Sequence, residues 1–72
     1  MENELFNQPL TERDKKIMNL ICHEKTVREI GEMVNLSPRT VEGEIPKIAE
    51  KIGVQGKVGI AVYAVKNGIY IE

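Results

Sequence analysis

Residues 37–52, "SPRTVEGEIPKIAEKI", decide how this chain folds. Ser37 suits a helix N-cap, where its hydroxyl accepts from a first-turn N–H that has no other partner. Pro38 follows at the first helical position, where a missing N–H costs nothing. Val41, Ile45, Ile48 and Ile52 then step by four, three and four, which is one face of a helix, and Gly53 stops it. Two interior residues resist. Gly43 lowers helix propensity by about 1 kcal/mol. Pro46 removes the N–H that would donate to the Glu42 carbonyl, at a cost of about 3 kcal/mol or more. Because Ile45 and Ile48 keep the apolar stripe in phase across Pro46, a kinked helix is expected rather than a broken one.

Immediately upstream, Thr26 and Glu29 form a Thr-x-x-Glu capping box that opens a short helix with Val27, Ile30, Met33 and Val34 as its buried stripe. Asn35 suits the left-handed residue that ends it. Only "NLS" separates this helix from the next, so the two cross steeply, with Gly31 as a small contact surface and Leu36 as a plug. That is a helix-turn-helix read from spacing. Further back, Thr11 with Asp14 opens a first helix running to about His23, with Ile17, Met18, Leu20 and Ile21 on one broad face. Residues 1–9, "MENELFNQP", read as an arm from which Phe6 docks on the core, leaving 10–72 as the domain. Downstream, a fourth helix from about Lys57 to Asn67 carries Val58, Ala61, Val62 and Val65 along one side. Ile60 and Ala64 widen that stripe, Gly68 ends the helix, and "IYIE" is a short apolar tail. A face this wide fits either a partner surface or packing against the first helix.

Composition sets the outer bounds. Seventy-two residues make one small domain, and its three aromatics, Phe6, Tyr63 and Tyr70, leave an aliphatic core with no platform for base stacking. Cys22 and His23 are the only residues of their kinds, so neither an internal disulfide nor a zinc site can be assembled. Cys22 reads as a small core hydrophobe and His23 as an exposed helix-end residue. The apolar runs are too short for a membrane span, and a cytoplasmic location is expected. With no nucleophile–base set, phosphate loop or metal-ligand cluster, an enzyme is not expected, and no cofactor. Ten Lys and Arg against eleven Asp and Glu give a net charge of −1, which counts mildly against nucleic acid.

From Leu10 to Ile69 the chain resembles the LuxR-type helix-turn-helix domain, the DNA-binding end of many two-component response regulators. The resemblance rests on "LTERDKKIMNLI", "VREIGEMVNLSPRTVEGE", "EKIGV" and "VGIAVYAVKNGI", in that order. It implies an all-α, four-helix fold without a wing, the third helix in the major groove of double-stranded DNA, and a homodimer through Val58, Ala61, Val62 and Val65 of the fourth. It fits a free-standing regulator as well as the effector half of a longer protein whose receiver domain is missing. Ser37, Thr40, Val41, Lys51 and the basic position at Lys57 match the family pattern, and Glu42–Gly43 is a pairing found in one of its branches. Glu44 stands where the family has a His or aromatic residue, and Pro46 where a polar or basic one reaches the groove.

The candidate DNA contacts are therefore Thr26, Arg28, Arg39, Thr40, Glu42, Gly43, Lys47, Lys51 and Lys57. Glu42 has a use in the groove, since a carboxylate accepts from the cytosine amino group. Glu44 points about 200° away from Glu42 around the helix and is harder to place there. Over 38–52 the charges cancel, Arg39, Lys47 and Lys51 against Glu42, Glu44 and Glu50. Two functions follow: a sequence-specific DNA-binding transcriptional regulator, or an interaction module of the same fold that has lost DNA reading.

Overall fold

The computed structural model describes residues 9–72. The arm and Phe6 lie outside them, apart from Pro9. Four α-helices follow one another: α1 Glu12–Cys22, α2 Val27–Val34, α3 Pro38–Ile52 and α4 Gly56–Lys66, with no strand among the described residues. Each of the first three starts where its cap dictates. The Thr11 hydroxyl accepts from the Asp14 N–H and the Asp14 carboxylate accepts from the Thr11 N–H, both at 3.0 Å. Thr26 and Glu29 repeat this exchange at α2, which draws the Glu29 carboxyl below its ordinary range through the Thr26 backbone N–H. Ser37 accepts from the Thr40 N–H at 3.1 Å, with Pro38 at the first turn. Asn35 and Gly53 end α2 and α3 in the left-handed region, at φ 60° and 71°.

The helix-turn-helix corner is set by Gly31. Its carbonyl accepts from the Leu36 N–H at 2.9 Å, and a Cβ added to it would stand 2.5 Å from the Leu36 carbonyl oxygen. No side chain fits there unless the backbone moves. Gly31→Ala is therefore expected to destabilise the domain by about 1–3 kcal/mol, despite the better helix propensity of Ala. Urea unfolding measures this, and an unchanged midpoint would mean that the corner is slack.

Ile17, Met18, Ile30, Val41, Ile48 and Ile60 are fully buried and form an aliphatic core, to which Leu20, Ile21, Ile45, Ala49 and Ala64 also belong. Helix α4 packs against α1 and α3, and α2 against α3 and α1. Met33, expected in the α2 stripe, is instead 47 % exposed. The inward face of α2 is centred between Ile30 and Gly31, the side that meets α3, and Met33 falls about 110° off that centre.

Helix α3 is a single α-helix that passes through Pro46. Pro46 and Gly43 both lie on its exposed side, so the proline ring displaces no core atom. After α4 the chain turns back over α1. The Ile71 N–H donates to Asn19 Oδ1 at 2.7 Å, His23 Nε2 lies 2.7 Å from the Ile71 carbonyl oxygen, and the His23 and Tyr70 rings are 5.2 Å apart.

Candidate nucleic-acid interface

The geometry of α3 follows from its anchors. Val41, Ile45, Ile48 and Ala49 are buried, with Ile52 partly so. At about 100° per residue these five define the inward side. Arg39, Glu42, Gly43, Pro46 and Glu50, at i, i+3, i+4, i+7 and i+11, then make one outward stripe, and all are exposed. Thr40 and Lys47 flank it, also exposed. The Thr40 hydroxyl lies 2.9 Å from that of Ser37.

Two charged residues of α3 are not on that stripe. Glu44 lies toward α1, its side chain 20 % exposed, with Arg13 Nη2 at 3.6 Å and Lys47 Nζ at 3.9 Å. It is thus held between two cations and faces away from the outward stripe. Lys51, one of the expected DNA contacts, is paired within the domain. Its side chain is 16 % exposed and its ammonium donates to Asp14 Oδ2 at 2.6 Å. Asp14 itself is 3 % exposed. Burial pushes the Asp14 carboxyl up, but the Lys51 ammonium and the Thr11 N–H together outweigh it and hold the group below the usual carboxylate range. Lys51 is therefore a largely buried cation that ties α3 to α1.

The remaining candidates stand at the surface. Arg28 is exposed on the first turn of α2, and Thr26 caps that helix. Thr26 lines one cleft with Lys25 and Lys57, so the start of α2 and the start of α4 bring two ammonium groups to the same side. Cys22 lines that cleft as well, half-buried, its Sγ 3.8 Å from the Ala61 carbonyl oxygen. Burial pushes its thiol up, away from the reactive thiolate form.

Helix α4 is apolar on two sides. Ile60 and Ala64 are fully buried against α1 and α3. Val58, Val62 and Val65 are 78 %, 48 % and 60 % exposed on the opposite side, with Ala61 between the two faces. Packing against α1 thus uses the residues that seemed only to widen the stripe, and leaves the valines uncovered among the described residues. Among the described residues no helix is long and apolar enough to cross a membrane, and no group of His, Cys, Asp and Glu is placed to hold a metal.

Helices in this order, with a three-residue corner and an outward third helix, define a helix-turn-helix domain. Residues 8–64 match the model of the family described as bacterial regulatory proteins, luxR family, and the chain belongs to it as a DNA-binding transcription-regulator domain. It is 39 % identical over 66 residues to the transcriptional regulatory protein LiaR of Bacillus subtilis, covering 92 % of this chain and 31 % of LiaR. It is 35 % identical over 60 residues to the response regulator UvrY of Escherichia coli, covering 83 % of this chain and 28 % of UvrY. To the spore germination protein GerE of Bacillus subtilis it is 31 % identical over 68 residues, covering 93 % of this chain and 92 % of GerE. The chain thus spans under a third of LiaR and UvrY, and nearly all of GerE. No solved structure matches it.

Proposed function

We propose that the chain regulates transcription in the cytoplasm by laying α3 in the major groove of its operator, without catalysing a reaction, and that two copies pair through the outer face of α4. The observation that carries this reading is the orientation of α3. Its inward half holds every anchor, including Glu44 and Lys51, while Arg39, Thr40, Glu42, Gly43 and Lys47 face out. Arg28 and Lys57 stand on neighbouring elements for the phosphates. The carboxylate that spoke most strongly against DNA, Glu44, is paired with Arg13 and Lys47 on the α1 side of α3, off the outward stripe. Exposed Val58, Val62 and Val65 support pairing, since an apolar stripe of this kind is stabilised by a second copy. The same stripe would serve the alternative, an interaction module that no longer reads DNA. The chain covers nearly all of GerE but under a third of LiaR, and in an arrangement of LiaR length a receiver domain would accompany this one.

Titration of a labelled random-sequence duplex, followed by anisotropy, tests the reading. Binding at roughly 10⁻⁴–10⁻⁶ M, falling steeply with salt, is expected. Lys57→Ala should weaken it evenly across sequences and reduce the salt slope by about 1. A folded sample that ignores DNA at low salt would leave the interaction module standing. Sedimentation of the wild type and of Val62→Glu tests pairing separately, with a concentration-dependent rise in mass expected only for the wild type.

A further inference from the structure

The outward stripe of α3 has few functional groups. Gly43 has no side chain and Pro46 offers neither donor nor acceptor. Arg39, Glu42 and Glu50 are the remaining members, and none of them forms an ion pair or side-chain hydrogen bond among the described residues. The other charges of α3 are committed elsewhere: Glu44 to Arg13 and Lys47, Lys51 to Asp14. Helix α3 also contains no Asn or Gln, the side chains that pair with adenine through two hydrogen bonds. A recognition helix meets base edges with its N-terminal part. That brings Arg39 and Glu42 to the bases and leaves Glu50, at the far end of α3, beyond them.

We infer that Glu42 selects cytosine, next to a guanine read by Arg39, so that each half-site of the operator is specified by G·C pairs. This rests on the proposed docking of α3 in the major groove. Cytosine presents a lone amino donor there, which a carboxylate accepts. Thymine O4 and guanine O6 and N7 are acceptors and repel it, and adenine sets an acceptor beside its donor. The preference is thus made by repulsion as much as by bonding. Residues three apart on a helix stand about 5–6 Å apart at Cβ, against a base-pair rise of about 3.4 Å, so Arg39 and Glu42 fall on neighbouring pairs. Gly43 beside Glu42 keeps the helix surface low, and a Cβ there would meet nothing within 4 Å.

The test is selection from a pool of duplexes with a randomised centre, using the wild type, Glu42→Ala and Arg39→Ala, each first shown to be folded by circular dichroism. Wild-type sites should share a cytosine beside a guanine, and changing that cytosine to thymine should weaken binding about 5- to 150-fold. Glu42→Ala should keep the guanine, accept any base in the cytosine's place, and bind unselected duplex more tightly, because a charge that repels phosphates is gone. Arg39→Ala should relax the guanine. A cytosine requirement that survives in Glu42→Ala overturns the inference. So does salt-sensitive binding of the pool by the wild type with no cytosine enriched, and that result leaves the DNA-binding reading intact. Absence of any binding to the pool at low salt overturns both.

Discussion

Lys51→Met should cost the domain about 3–5 kcal/mol, the usual penalty for leaving a buried charge without its partner. A chain of this size holds roughly 4–11 kcal/mol in all, so the variant sits near the edge of folding. Its melting temperature should fall by roughly 12–40 °C, at about 4–8 °C per kcal/mol. The loss arises at Asp14, whose nearly inaccessible carboxylate would keep only the Thr11 N–H. Converting both residues, Asp14→Leu with Lys51→Met, should recover all but about 1 kcal/mol, the share belonging to the helix cap. A single variant as stable as the wild type would show that the pair is not buried in solution.

The same pair fixes the response to acid. The Asp14 carboxyl is held below its ordinary value of 3.8 in the folded state. Its contribution is therefore fully present above the unfolded-state value and is lost as pH falls through the folded one. The wild type should lose stability below about pH 4. In Lys51→Met the ammonium no longer lowers the folded value, so the variant loses less than the wild type on protonation. The two urea midpoints should converge as pH is lowered, and a constant gap would contradict the assignment.

Pro46→Ala should stabilise the domain, which is unusual for a natural interior helix position. Alanine restores the N–H that donates to the Glu42 carbonyl and removes the ring that presses on it, worth about 3 kcal/mol. Loss of proline's restriction on the unfolded chain returns about 0.4–1 kcal/mol of this. The net gain is about 2 kcal/mol, or roughly 8–16 °C in melting temperature. No packing is forfeited, because Pro46 is exposed. Gly43→Ala, with open space for its Cβ, should add about 1 kcal/mol by propensity alone. A Pro46→Ala variant that melts no higher than the wild type would mean that water already satisfies the Glu42 carbonyl and that α3 carries no strain.

What the sequence made legible was local. Thr11 with Asp14, Thr26 with Glu29, Ser37 with Pro38, Asn35 and Gly53 each act within a few residues, so their spacing alone marked the helix ends, and α4 was displaced by only one residue. The Gly31 contact was also visible, because a three-residue link forces two helices together. The pairing of Lys51 with Asp14 was not legible, because its partner lies 37 positions away. A clue was present: Asp14 shares the face of Ile17, Met18 and Ile21, and a carboxylate on an apolar stripe calls for a cation. Glu44 was read from helix periodicity without knowledge of what α1 brings opposite it, namely Arg13. For α4, apolar on both sides, periodicity could not say which side faces the core.

With α3 docked as proposed, its division into an anchored half and an outward half means that the identity of the fold and the identity of the operator are written in separate letters of one helix. Exchange of Arg39 or Glu42 leaves the core, the Gly31 corner and the Asp14–Lys51 tie untouched, so on that docking descendants of this chain can acquire new promoters without passing through unfolded intermediates. The inward letters enjoy no such freedom, since a change at Lys51 alters how the helix is held, whichever bases it meets.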